Sequence, residues 1–579
     1  MQAASRLRGF MPGFASPTVG NRSSDRLLLP WLLLPVFVIS ILPIVRLAIE
    51  GVFIGGVPSA DYIRDVLGSL TTWRATANSL YTAGLGTIIS LLIGGAFAFL
   101  VALTDIRAKA VLVFCFMIPM MIPPQITALA WVQLTGPSSA LLNALGMAPA
   151  MGSPQPFYSA EGIALLLGIQ HASIVFLTLR ANLRLLPREQ IEAARLAGAR
   201  GGRLWWQIIL PLTSPGLIAG TAMAFVTALG NFGIPAMLGI PANYSTLPTL
   251  IYQKLAGFGP SVLGEVSVLA MLIGAIAICG VALHHRLLGK RDYRLMGMVG
   301  RPLDIRLGQR RTLVEAVLWA VLMAILVIPL MALIATALVP AFGVKLSLAN
   351  YSFDAFYEVL FVQPSTIRAF HNSFMLSVGA AVTLVAICLP LAYVIVRRPT
   401  RLTHMVNLLV EVPYALPGVV LAIACILLFI RVPVIDVSLY GTLAIIFVAY
   451  LARFLVIALR PVMNSFSQLD PALEEAAQAC GAGLGRRLRD ILLPLAAPSA
   501  AAGALLVFLT AFNELTVSAL LWSAGNETLG VLIFNLDDSG DTVLASAVAV
   551  LVVLVVIALM SCFQLASRRL PKGVVPWQT

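Results

Sequence analysis

This sequence predicts an all-α membrane protein, with about 12 transmembrane helices in two parallel six-helix repeats. Three observations lead there. Of its 579 residues, 59% are hydrophobic and 11% charged, where a soluble domain carries about 25% charge. The apolar residues fall into runs of about 20, the length that crosses a bilayer's hydrocarbon core as a helix. Finally, the second half of the chain repeats residue patterns of the first at a fixed spacing, as a duplicated unit does.

The elements follow in chain order. Residues 1–26 are polar, contain Arg and are rich in Gly, Ser and Pro, which predicts an N-terminal segment outside the membrane. The run 27–49 is longer than a signal-peptide core and no small-x-small cleavage site follows it, so it reads as a retained helix. Further spans are expected at 79–103, 110–135, 160–180, 213–239 and 264–285, completing a first half over 27–285. A basic linker (286–312) follows, with eight Lys and Arg. Spans at 313–338, 372–396, 404–430, 438–459, 495–523 and 542–565 make a second half (313–565), and 566–579 forms a tail. With the N-terminus in the cytoplasm, only seven of the 38 Lys and Arg (Arg46, Arg64, Arg74, Lys254, Lys345, Arg368 and Arg431) lie outside. Such asymmetry places both termini, the linker and the loops 181–212 and 460–494 in the cytoplasm. The net charge of +13 is accounted for by this orientation, so no nucleic-acid partner is expected. The six cysteines sit in apolar runs or in segments placed in the cytoplasm, which predicts neither disulfides nor a thiolate metal site. His284-His285 reads as an interfacial pair rather than a ligand site.

The internal repeat is specific. At a spacing of 294 residues, Asn78-Ser79 matches Asn372-Ser373, Pro119 matches Pro413 and Pro123 matches Pro417. At a spacing of 283, Glu192, Ala193 and Ala194 match Glu475, Ala476 and Ala477. Gly198 then matches Gly481, and Ile208, Leu210 and Pro211 match Ile491, Leu493 and Pro494. The change in spacing predicts a longer outer loop between the third and fourth spans of the first half. An even number of spans per half makes the repeats parallel.

Each repeated polar loop reads as helix, Gly turn, helix. Glu192–Ala197 favours helix, Gly198 permits the positive φ that ends it, and a second short helix over 204–209 is expected to end at Pro211. Such a helix lying along the membrane surface suits docking in a partner's groove. The pattern of Glu-Ala-Ala, three residues, Gly, nine residues, Ile-x-Leu-Pro resembles the signature of the inner-membrane permeases of binding-protein-dependent ABC importers, and it occurs twice. The resemblance covers essentially the whole chain, each half being similar to one permease of the type I fold. It implies that the two segments are coupling helices, each inserting into a cleft of an ATP-binding subunit. It also implies two copies of that subunit, which would carry ATP and Mg, an extracytoplasmic solute-binding protein, and a place in the bacterial inner membrane. The chain contains no GxxxxGK[ST] loop, so it is not expected to be an enzyme itself.

A second class of function, an ion-coupled secondary transporter, shares the plan of two parallel six-span repeats. It requires titratable groups within the spans, and Glu411, Arg453 and Glu514 are few. A membrane enzyme would need a nucleophile–base or metal constellation, which the sequence does not offer. Intramembrane polar groups mark function by default, so Asn231, Asn513, Glu514, Gln125 and Tyr414 are the candidates for lining the solute path, beside the proline-bearing segments 118–125 and 411–418. Asn231 and Glu514 occupy matching positions and are expected to face one another across the pseudo-twofold axis. Arg453 is expected to be structural, as a partner for Glu411. The stretches 216–220 and 499–503 offer small-xxx-small faces for close helix approach. A single chain with both motifs most resembles the fused permeases of ferric-iron importers, with 2-aminoethylphosphonate, thiamine and polyamine importers as alternatives. The ferric group's Glu-Leu-Pro-Ala-Thr-Leu is matched here by Glu514-Leu515 without the Pro.

Overall fold

The computed structural model describes residues 34–54, 57–184, 186, 188–199, 201–257, 261–288, 305–430 and 437–566. The N-terminal segment, the centre of the linker, the tail beyond 566 and the side chains of His284 and His285 lie outside the described residues. Apart from a small hairpin pairing Phe53–Ile54 with Val57–Pro58, the described chain is helical.

Apart from short helices at Asp61–Gly68, Ala140–Ala144 and Asp354–Tyr357, the described helices come in two matching series of ten. The first comprises α1 (Leu34–Val52), α2 (Leu70–Leu103), α3 (Lys109–Met121), α4 (Pro124–Thr135), α5 (Ala160–Leu183), α6 (Arg188–Leu196), α7 (Gly201–Leu229), α8 (Gly233–Gly239), α9 (Leu247–Leu255) and α10 (Val262–Leu288). The second comprises α11 (Gly308–Ala337), α12 (Pro364–Arg397), α13 (Arg401–Ala415), α14 (Gly418–Phe429), α15 (Leu443–Gln468), α16 (Pro471–Ala479), α17 (Leu484–Phe512), α18 (Ser518–Leu521), α19 (Leu529–Asp538) and α20 (Thr542–Ala566). The register holds to the residue: α2 and α12 start and end 294 residues apart, and α6 with α16 and α7 with α17 start and end 283 apart. Among the described residues, ten helices are long and apolar enough to cross a membrane, or up to 12 if each bent pair forms one span.

Those bent pairs occupy the spans expected at 110–135 and 404–430, and their prolines do more than loosen a helix: they turn it through about a right angle. The axis of α3 meets that of Pro124–Ala144, which begins with α4, at 98°, and Arg401–Tyr414 of α13 meets α14 at 104°. The cause is local. A residue preceding proline is pushed out of the helical region. Ile122, before Pro123, takes φ −83°, ψ 135°, and Leu416, before Pro417, takes φ −83°, ψ 144°. Each proline is itself extended, at ψ 136° for Pro123 and 141° for Pro417.

Small residues set the packing within each half. A Cβ on Gly86 would lie 3.0 Å from the Ala164 carbonyl oxygen, so α2 runs close against α5. On α7, Gly220 faces Val175 of α5, where a Cβ would lie 3.3 Å from its Cα. On α17, Gly503 faces Ala458 of α15, where a Cβ would lie 3.3 Å from its Cα. Val175 and Ala458 are themselves 283 apart, so the expected close approaches use the same contact in both halves.

The halves also exchange their first helices. The first half's α1 packs on α14 of the second, and α11 packs on α4 of the first. The longer loop expected in the first half contains a short helix, Ala140–Ala144, whose Ala140 is buried with Ala335 and Val339 at the end of α11. The linker emerges against the first half as well. Ile305 N–H donates to Leu103 O (2.7 Å), Leu307 N–H to Asp105 Oδ1 (3.0 Å) and Arg107 N–H to Glu315 Oε1 (2.7 Å). α11 therefore starts on the face where α2 ends.

Candidate functional site

The two motif copies lie on surface helices that end in the same turn. At the end of α6, Ala199 N–H donates to Ala194 O and Gly198 N–H to Arg195 O (2.9 and 3.0 Å). At the end of α16, Ala482 N–H donates to Ala477 O and Gly481 N–H to Gln478 O, both at 2.9 Å. This paired-bond ending requires a left-handed residue, and Gly198 and Gly481 supply it with φ +88° and +78°. Glu192, Ala193, Glu475 and Ala476 are exposed, while Ala194, Ala477, Ile208, Leu210, Ile491 and Leu493 are half-buried beneath them.

One local expectation is corrected. Pro211 and Pro494 do not end a short helix: each sits inside an unbroken 29-residue helix, α7 and α17. The strain is absorbed one step earlier, in five-residue π-helical turns at Trp205–Ile209 and Leu488–Leu492. A wider turn moves the preceding carbonyl away from the proline ring, which would otherwise strike it.

Helices α7 and α17 also stop earlier than their apolar runs predict. The spans expected at 213–239 and 495–523 are interrupted at Gly230–Phe232 and at Asn513–Val517. Asn231 Oδ1 accepts from Ile234 N–H (3.1 Å) and so caps α8. Glu514 does the same for α18, accepting from Val517 N–H (2.9 and 3.1 Å) and Ser518 N–H (3.3 Å). Asn231 and Glu514 are buried, and each turns back onto the helix that follows it rather than toward the other. The expected partnership of Arg453 is also revised. Arg453 Nε lies 3.7 Å from Glu514 Oε1, while Glu411 pairs with Arg460. Gln170 holds the matching position in the first half. Its amide donates to Ile122 O (3.0 Å), the carbonyl freed by the α3–α4 bend, and a Cβ on Gly418, at the α13–α14 bend, would touch the Arg453 guanidinium. A residue of the fourth span thus braces each proline bend.

These breaks and bends form the joint between the halves, and they meet reciprocally. A Cβ on Gly230 would lie 3.0 Å from Pro417 Cβ. Asn513, which matches Gly230, donates its amide to Met121 O (2.5 Å) at the opposite bend. Ring centroids of Phe232 and Phe534, one from each half, lie 6.0 Å apart, with Tyr252 5.1 Å from Phe232. Gln125 is fully buried here, against Gly530 of the second half and Gly233 of its own. Both polar atoms of its amide lack a hydrogen-bond partner, as does Asn513 Oδ1. Tyr414, at the α13–α14 bend, is nearly half exposed. Of the candidate path residues, Asn231, Asn513, Glu514 and Gln125 are therefore brought to the joint, Asn231 and Glu514 with their oxygens already occupied.

The sequence reading left the repeated Asn-Ser pair without a role. Ser79 Oγ accepts from Leu247 N–H (2.7 Å) at the start of α9, and Ser373 Oγ accepts from Leu529 N–H (2.9 Å) at the start of α19. Asn78 and Asn372 donate to the backbone just upstream, at Ser245 O (2.9 Å) and Glu527 O (3.0 Å). The pair ties each second span to the segment behind the break. Gln170, Tyr450 and Ser518, the last two linked at 2.7 Å, were missed by sequence reasoning; the 283-residue spacing pointed to Gln170 as the counterpart of Arg453.

Comparison with known proteins agrees with this geometry. The family model described as the inner membrane component of binding-protein-dependent transport systems matches twice, over residues 90–290 and 385–575. A probable ABC transporter permease (y4fN) of Sinorhizobium fredii is 26% identical, aligned over 90% of this chain and 92% of its own. The ferric transport system permease FbpB of Actinobacillus pleuropneumoniae is 24% identical over 94% of this chain and 78% of its own. The molybdenum transport system permease ModB of Escherichia coli is 28% identical, matching 36% of this chain and 90% of its own length. With two copies of the family's unit in one polypeptide, the chain belongs to the binding-protein-dependent inner membrane components and is a fused, multi-pass ABC transporter permease.

Proposed function

We propose that this chain forms the whole translocation path of an ATP-driven importer of the type I fold, with six spans per half and both termini in the cytoplasm. Segments α6 and α16 each dock one copy of an ATP-binding subunit, which binds ATP and Mg and performs the hydrolysis. A solute-binding protein delivers cargo to the opposite face. The observation that carries this reading is the repeated surface helix with its left-handed Gly ending, present twice at identical register on a chain without a phosphate-binding loop. The solute leaves the binding protein and passes the joint, where the unpaired amide of Gln125 and the free oxygen of Asn513 are available once the halves separate. Weak, unsaturated contacts suit a path that must admit a solute and release it.

Ferric iron is the cargo this reading favours, because the ferric transport permease aligns over 94% of this chain. The molybdenum permease, a shorter chain, matches over 90% of its own length but 36% of this one, and a spermidine/putrescine permease over 57% of its own and 28% of this one. An aminophosphonate, thiamine or polyamine is the alternative, since the proline of the ferric group's motif is absent after Glu514-Leu515. The test is to reconstitute the chain with the neighbouring ATPase and binding protein in proteoliposomes. A complex of one permease chain and two ATPases that takes up ferric iron is expected. One ATPase per chain refutes the assembly, and uptake of another solute refutes the cargo.

A further inference from the structure

Although the two docking segments match in backbone, they are fastened to the membrane helices by opposite chemistry. In the second half, Glu474 on α16 accepts from Tyr393 Oη (2.6 Å) and Arg487 Nη1 (3.1 Å). Arg397 Nε lies 3.9 Å from its other oxygen, and Arg397 Nη2 donates to Leu469 O (2.9 Å) just before α16. Tyr393 and Arg397 form the last turns of α12, and Arg487 begins α17. The side chains of Arg487, Glu474 and Arg397 are only 6%, 12% and 13% exposed. One carboxylate thus binds three helices together through a buried cluster, and a buried ion pair holds its geometry only while both partners are present.

The matching positions of the first half are all apolar. At the spacings that align the helices, Tyr393, Arg397, Glu474 and Arg487 correspond to Phe99, Leu103, Ile191 and Leu204. Leu103, Ile191 and Leu204 are buried in the core, and Phe99 packs edge-on against Trp205 at 5.0 Å. The whole set has changed at once, as it must, since a buried charge left without its partner is costly.

We propose that Tyr393, Arg397, Glu474 and Arg487 are positioning residues that couple movement of α16 to α12, and that the apolar set Phe99, Leu103, Ile191 and Leu204 does the same work for α6 and α2. This rests on the reading of α6 and α16 as ATPase-docking helices. The clamp touches no solute and no nucleotide; it acts through the helix whose exposed Glu475 and Ala476 face the partner. The two ATPases therefore pull on one chain through two different linkages, one sensitive to loss of a single charge and the other to loss of packing volume.

The experiment uses the full complex in proteoliposomes, with the native binding protein purified carrying its own ligand. The readout is the ratio of ATP hydrolysis with and without that binding protein. Glu474→Gln is expected to lower the stimulation about tenfold. The quadruple variant Tyr393→Phe, Arg397→Leu, Glu474→Ile, Arg487→Leu, which installs the first half's side chains, is expected to recover it to within threefold of the parent. Stimulation by Glu474→Gln within twofold of the parent overturns the clamp. So does a quadruple variant that is monodisperse yet no better than Glu474→Gln. Should the quadruple variant fail to insert, Tyr393→Phe carries the test, with a two- to fivefold loss expected and parental stimulation overturning the proposal. A photo-crosslinker at Ala476 in the otherwise parental chain checks docking separately. No crosslink to the ATPase refutes the docking reading itself, whereas a crosslink with unaltered stimulation in Glu474→Gln refutes the clamp alone.

Discussion

Replacing Gly481 by valine is the sharpest perturbation of the docking turn. The residue sits at φ +78°, and a Cβ added there meets nothing within 4 Å, so no clash contributes and the whole effect is backbone strain. A left-handed L-residue costs about 1–2 kcal/mol, with a β-branched side chain toward the upper end. That corresponds to a roughly 5- to 30-fold smaller population of the turn. If docking selects that turn, the affinity of the ATPase for this site falls by the same factor. Asparagine tolerates the left-handed region better than other non-glycine residues, so Gly481→Asn should recover most of the loss. Gly198, at φ +88° with equally open surroundings, should respond alike, and the double valine variant should be weakened at both sites. The assay is titration of purified ATPase onto the chain in nanodiscs, with each site read separately by a photo-crosslinker at Ala193 or Ala476. Parental affinity for Gly481→Val would refute the reasoning, as would an asparagine variant as impaired as the valine, because strain could not then be the cause.

Three other outcomes follow from the same geometry. Glu514→Ala removes the α18 cap and strands Arg453, and is expected to destabilise the folded chain by about 3–5 kcal/mol; Glu514→Asn with Arg453→Gln, which installs the first half's neutral pair, should restore most of the thermal stability measured in detergent. Gly230→Val drives a side chain into Pro417 and should spread the joint, read as less crosslinking between cysteines placed at Phe232 and Phe534. Asp105, outside the spans, has its pKa held below the usual carboxylate value chiefly by the Leu307 N–H, then by its own backbone N–H, and then by Arg311 and Arg306. A lowered folded pKa means that its contribution is present above the unfolded value of about 4 and lost as pH falls through the folded value, so the protection of the Leu307 amide, its observed exchange rate set against the intrinsic rate at the same pH, should fall only below about pH 4 and stay level between pH 5 and 8.

Much of this was legible because the repeat carries backbone instructions. Gly198 and Gly481 announce left-handed turns, and Pro123 and Pro417 announce breaks, since each restricts φ and ψ irrespective of surroundings. The continuity of α7 and α17 through Pro211 and Pro494 was hidden, because proline signals an end and only the structure shows the π turn that accommodates it. The interruptions at Asn231 and Glu514 were hidden for another reason: the segments on both sides are apolar, so a hydropathy run passes over a chain break without registering it. Partner choice was the least legible. Glu411 and Glu514 each had an arginine available on α15, and whether Arg453 or Arg460 meets one or the other depends on helix rotation that no spacing in the sequence fixes.

The joint and the proposed clamp together bear on what a fused chain permits. Contact between the halves is reciprocal at the backbone, with Gly230 against Pro417 and Asn513 against the Met121 carbonyl, so both bends and both breaks must keep their positions together. Side chains near those positions are free to differ, provided that charges come and go in pairs. Asn231 with Gln170 becomes Glu514 with Arg453, and the apolar set beneath α6 becomes the ionic set beneath α16. Two identical chains could not make this distinction, because every substitution would enter both sides at once. In one polypeptide each half can adopt its own chemistry while the spacing of 283 residues keeps the proposed docking helices α6 and α16 in the same place. The two sites should then differ in what perturbs them rather than in what they bind: loss of the Glu474 charge should act through α16 alone, and a cavity made at Ile191 through α6 alone.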